Sequence, residues 1–229
     1  VGDVVYVGLV APQLKGGVFL HSAKGWSYLD SDRDQLLDFL ASRFYAGRGA
    51  HGIFMKTWGA GLAYSNGFRG SLSSGTFGYY AERTPELPQT LQFVIDQMRT
   101  AEPGDELVEY AIAVAFAGSR AASRYESRAE AMADDLVDGL KPDVVAGFRK
   151  AILELRELPD LHERLTTRMQ PVYARVLPGL GGSVRHVDGG SFFVIGNEKQ
   201  LEAWEGYLKT VEGAETKVWR LYPRDFWME

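Results

Sequence analysis

Phe54-Met-Lys-Thr-Trp-Gly-Ala-Gly-Leu-Ala-Tyr-Ser-Asn-Gly-Phe-Arg69 is the stretch on which the reading of this chain turns. It follows a short amphipathic helix and a glycine-rich loop. It reads as a strand in which one aromatic hydroxyl, Tyr64, stands among small residues. A tyrosine beside glycines on a strand can put its hydroxyl where a backbone or a ligand approaches closely. On spacing alone the same residue is equally a half-buried sheet tyrosine. Lys56 and Arg69 are near Tyr64 in sequence and could supply positive charge, although their spacing by itself makes them surface residues.

Working outward, residues 60–71 and 75–82 form two β-like runs joined around Ser73-Ser74-Gly75, the pattern of a hairpin. Upstream, Val4-Val-Tyr-Val-Gly-Leu-Val10 and Gly17-Val-Phe-Leu-His-Ser22 read as strands. Between them and the hairpin, Ser31 is positioned to cap a helix whose Leu36, Leu37, Leu40 and Phe44 recur at helical spacing. Downstream, Thr84-Pro85-Glu86 has the chemistry of a helix start, with Leu91, Val94, Ile95 and Met98 as its buried stripe.

From Pro103-Gly104 the chain is helical for about 70 residues by its apolar spacing. One stripe is Leu107, Tyr110, Ala111 and Val114. A second is Ala129, Met132, Ala133, Leu136 and Val137. A third, opened by Pro142, is Val145, Phe148, Ile152 and Leu155. A fourth helix opens at Pro159 and is expected to bend or break at Pro171. Gly179–Gly182 is a loop, Ser191-Phe-Phe-Val-Ile-Gly196 a late strand, and Glu198–Leu208 a last helix. Strands first, helices in the middle and a returning strand predict an α+β fold with a mainly antiparallel sheet packed against helices. No low-complexity linker interrupts residues 1–229, so one domain is the simpler expectation.

Composition narrows the classes. The 229 residues are 45% apolar and 24% charged, as in a globular protein able to bury a core. A net charge of −5 lacks the basic footprint of a nucleic-acid binder. No apolar run approaches the ~18 residues of a membrane span. There is no cysteine, which removes disulfides and thiolate ligands but fits cytoplasm or periplasm alike. Val1 in place of Met fits a mature form or an excised domain, from which a leader could have been removed.

Motifs for other chemistries do not hold up. Gly47-Arg-Gly-Ala-His-Gly52 matches G-x-G-x-x-G, but a helix precedes it where dinucleotide binding needs a strand. His21, His51, His162 and His186 include no pair spaced to share a helix face, and neither H-E-x-x-H nor H-x-x-E-H occurs. His162-Glu163 lies on a polar face. Ser22, Ser65 and Ser191 lack a G-x-S-x-G context. Glu126, Glu130, Asp134 and Asp138 read as a solvated helix surface.

The Gly61-Leu-Ala-Tyr-Ser65 core, its order of neighbouring elements, and Tyr79-Tyr-Ala-Glu-Arg83 followed by Leu91-Gln-Phe-Val94 resemble the carboxyl-side, non-metal-binding domain of pitrilysin/insulinase-type (M16) zinc peptidases. The likeness runs from about residue 4 to 210. It implies an M16 metallohydrolase-like domain, the carboxyl-side part of a longer chain, with zinc bound in a companion amino-side domain that carries H-x-x-E-H and none in this one. It implies a peptide substrate and, as partner, that amino-side domain, on the same chain or as a companion subunit. Tyr64 matches the family tyrosine that holds the peptide and its developing oxyanion. Lys56, Gly61, Ala63, Ser65 and Arg69 are then the candidate substrate-binding residues. The family usually has an arginine seven positions before the tyrosine; here that position is Thr57. Non-catalytic scaffold and partner subunits of the same fold are the alternative that this departure keeps open.

Overall fold

A computed structural model describes residues 4–47, 49–120, 124–181 and 189–226. The strands are β1 (Val5–Val10), β2 (Gly17–Lys24), β3 (Ser65–Ser71), β4 (Thr76–Thr84), β5 (Ser191–Gly196) and β6 (Val218–Leu221). The helices are α1 (Arg33–Ala41), α2 (Ile53–Gly59), α3 (Leu87–Arg99), α4 (Asp105–Gly118), α5 (Tyr125–Val137), α6 (Pro142–Glu154), α7 (Leu161–Ala174) and α8 (Glu198–Val211).

The six strands form one sheet in the order β3-β4-β2-β5-β1-β6. β1 runs parallel to β5 and β6; the other pairs are antiparallel. The fold is therefore α+β and mainly antiparallel, with a parallel end. β1 and β2 are not paired with each other, because β5 lies between them.

The two-residue period of the strands sorts side chains into two rows that cross the whole sheet. Val218, Tyr6, Phe192, His21, Tyr79 and Phe68 are register partners in turn, all buried. α8 covers this face over β1 and β5, α3 over β2 and α2 over β3. One place along each strand, Trp219, Val7, Phe193, Leu20, Tyr80 and Gly67 make the opposite row. There Leu20 is 46% exposed, Phe193 41% and Trp219 66%, so the outer face is apolar and incompletely covered among the described residues.

Several helix expectations hold in detail. Leu36, Leu37, Leu40 and Phe44 are buried, as are the α3 stripe and Val145, Phe148, Ile152 and Leu155. Others are corrected. Asp32, not Ser31, caps α1, accepting from the Asp34 and Gln35 amides. Glu86 precedes α3 and Pro88 lies in its first turn, because Thr84 is still paired to Gly17 as the last residue of β4. α7 runs through Pro171. Ala129, Met132, Ala133, Leu136 and Val137 of α5 are exposed. The buried residue of α5 is Asp135, which receives two bonds from the Arg120 guanidinium. β6 is too short to carry a periodic signal of its own.

Candidate functional site

The opening segment does not form a strand throughout. Ile53–Gly59 is helix α2, with Ile53 and Thr57 buried and the Thr57 hydroxyl donating to the Ile53 carbonyl at 2.7 Å. The helix ends in paired bonds: Leu62 N–H to Thr57 O at 3.1 Å and Gly61 N–H to Trp58 O at 3.0 Å. Such a cap requires a left-handed residue, which Gly61 supplies at φ 70°. Gly61 thus sets where the helix stops.

The next residues aim Tyr64. The Thr90 hydroxyl of α3 donates to the Leu62 carbonyl at 3.0 Å, and Ala63 is buried in the core. The Tyr64 N–H then donates to Glu82 O at 3.0 Å and begins the β3 ladder. Ser65, half-buried, pairs with Glu82 across the hairpin. Tyr64 itself is 60% exposed, and its hydroxyl has no hydrogen-bond partner among the described residues.

Among the described residues Tyr64 has one cationic neighbour, and it is neither of those near in sequence. The Arg83 guanidinium lies over the Tyr64 ring, 4.6 Å from its centroid. Lys56 is over Tyr45 at 5.7 Å instead. Its charge, after desolvation, helps lower the pKa of His51, whose ring meets Tyr110 edge-on. Arg69 is five residues along β3 and stacks on Tyr80 at 3.4 Å, bordering a shallow groove with Leu20 and Ser22 on the outer face. Thr57, at the position where the family usually has arginine, is fully buried and accepts from Asn66 Nδ2 at 2.9 Å. Its side chain cannot reach a ligand. Arg83 was missed in the sequence because its proximity comes from hairpin pairing, which spacing along one strand does not reveal.

Among the described residues β3 is an edge strand, paired to β4 on one side only. Its other side offers backbone donors and acceptors to an added chain. Tyr64 stands where that edge begins.

Among the described residues no cluster of three His, Asp or Glu could hold a metal ion. His21 is buried, with Nδ1 2.9 Å from Val176 O, and desolvation lowers its pKa to about 4. His162 Nε2 bonds Pro103 O at 2.6 Å. With His51 packed on Tyr110, these three side chains are engaged in separate places and do not fit a zinc site; His186 lies outside the described residues. The Gly47–Gly52 loop follows α1 rather than a strand, which removes the dinucleotide geometry. Among the described residues no helix is long and apolar enough to cross a membrane.

No protein-family model matches the sequence, and no curated protein matches it. Solved structures do share the fold. A protease from Helicobacter pylori superposes with a TM-score of 0.53 at 12% identity, covering 85% of this chain and 44% of that one. A peptidase M16 inactive domain from Pseudomonas fluorescens gives 0.50 at 13%, covering 86% and 43%. Pitrilysin gives 0.51 at 10%, covering 99% of this chain and 22% of its own length. The chain therefore has the fold of M16 peptidase inactive domains and spans less than half the length of each of these three solved chains.

Proposed function

We propose that this chain is the peptide-holding, metal-free domain of an M16-type zinc metallopeptidase, forming as one domain the carboxyl-side part of a longer protein. The observation that carries the reading is Tyr64: an exposed tyrosine whose hydroxyl has no partner among the described residues, at the start of a sheet edge, in a fold shared with M16 inactive domains. An extended peptide would add to β3 as a further strand. The Tyr64 hydroxyl would donate to the carbonyl oxygen of the scissile bond as it becomes an oxyanion. Ser65 and Gly67 leave this edge slim enough for a backbone to approach, and Arg69 is a charged side chain further along it. The water-activating zinc belongs, in this reading, to the companion amino-side domain.

The test is Tyr64→Phe in the complete enzyme. The ring and its packing remain while the donor is removed. One oxyanion donor is worth about 3–4 kcal/mol, so kcat should fall roughly 100-fold or more, with little change in KM. Unchanged kcat/KM would return Tyr64 to a sheet-packing role.

A second reading, a non-catalytic scaffold or partner subunit of the same fold, draws support from Thr57, which is buried where the family usually presents arginine. An H-x-x-E-H sequence in the parent chain or in a co-purifying partner favours the first reading. Its absence from both favours the second.

A further inference from the structure

The surroundings of Arg83 go beyond what the Tyr64 reading requires. Between Phe19↔Ala81 and Gly17↔Thr84 the β2–β4 register shifts, so that Glu82 and Arg83 together face the single residue Val18. That is a β-bulge, a device that re-aims a side chain. Within it Arg83 has φ 52°, in the left-handed region that is costly for a residue with a Cβ. The bulge is packed closely from behind: a Cβ on Gly16 would lie 2.9 Å from the Arg83 Cα and carbonyl carbon. Glycine or asparagine would hold the same turn with less strain.

The core does not require arginine there. Its side chain is exposed, and it has no carboxylate partner among the described residues although Glu82 and Glu86 are close in sequence. Among the described residues its side chain meets only the face of the Tyr64 ring. A guanidinium engaged with a ring and not with a carboxylate has N–H groups left to donate, in the forked arrangement that matches a carboxylate.

We propose that Arg83 is a specificity-determining residue: on the bulge beside Tyr64, it takes the side-chain carboxylate of an acidic residue in the extended peptide lying along β3. This deepens the reading of Tyr64 as the peptide-holding tyrosine and rests on it. The substrate class is a peptide with Asp or Glu close to the carbonyl that Tyr64 holds.

The experiment uses the full-length parent enzyme and internally quenched peptides with blocked termini, identical except for Glu, Gln or Lys at each position flanking the scissile bond in turn. Wild type should prefer Glu over Gln at one position by about tenfold, the scale of one charge-assisted hydrogen bond. Arg83→Gln should abolish that preference. Arg83→Glu should reverse it toward a Lys peptide, a switch that loss of folding could not produce. Arg83→Gly should raise the melting temperature by a few degrees while removing the preference, because it relieves the left-handed strain and deletes the cation. If Tyr64→Phe slows cleavage while wild type shows no Glu preference, or keeps it after Arg83→Gln, the Arg83 proposal is overturned and the Tyr64 reading stands. If Tyr64→Phe changes nothing, the reading itself fails and the proposal falls with it.

Discussion

His21 is the residue whose chemistry is most constrained by its place. It sits in the middle of the buried row, in ring contact with Phe19, Tyr79, Phe192 and Trp204. Burial holds it neutral, with its pKa lowered from 6.5 to about 4, the bond to Val176 pulling weakly the other way. The unfolded chain therefore binds a proton that the folded chain refuses between those values. Stability is fully present above about pH 6.5 and falls as pH drops toward 4, by about 3 kcal/mol from this one group. Denaturant melts at pH 7 and pH 4.5 measure the loss. His21→Gln, which keeps a donor for the Val176 carbonyl but cannot ionise, should flatten that part of the profile. Tyr64, being largely exposed, should behave differently: Tyr64→Phe leaves stability within about 0.5 kcal/mol while affecting turnover.

Among the elements, α5 separates pattern from burial. Its apolar period is real, yet the helix is attached through Asp135 and Arg120, with Arg120 Nη1 2.6 Å from Asp135 Oδ1. We expect Leu136→Glu to change stability by no more than about 0.5 kcal/mol, as at an exposed position, and Asp135→Asn to cost about 1–3 kcal/mol by disrupting a largely buried charged pair. Denaturation of the two variants side by side tests this. The contrast marks what was legible in the sequence. The helices α3 and α6 were readable because each buries one regular stripe, and the hairpin because Ser73-Ser74-Gly75 separates two β-rich runs. The strand expected over Phe54–Arg69 failed in its first half, since a seven-residue helix with a glycine cap looks locally like any small-residue run. Tyr64 could be singled out from its neighbours. Arg83 could not, because its conformation comes from a register shift against β2, a tertiary fact with no local signature.

At the scale of the whole molecule, the outer sheet row from Trp219 through Phe193 and Leu20 to Tyr80 is apolar and incompletely covered among the described residues, and we propose it as the face that meets a partner. The short span of this chain relative to the solved chains sharing its fold favours a companion domain as that partner. A specific contact should bury more than roughly 1,000 Å² in total. Sedimentation with the proposed amino-side domain should give a complex that Leu20→Glu with Phe193→Glu abolishes without lowering the melting temperature. A strict monomer that ignores that domain would count against both functional readings. The chain by itself should hold no stoichiometric zinc after dialysis and cleave no fluorogenic peptide; one tightly bound zinc per chain would overturn the division of labour.

The sheet order also has a consequence in time. β1 has only β5 and β6 as strand neighbours, and Val5 pairs with Ser191. β2 likewise has β5 on one side. At 5–20 residues per second, roughly 10–35 s of synthesis separate β2 from the strand that joins it to β1. Until then β1 is an orphan, and the β2–β3–β4 hairpin system has an open flank. This chain should accordingly refold slowly for its size, limited by closing a loop of more than 150 residues, and a nascent chain stopped before Gly190 should be sticky rather than half-folded.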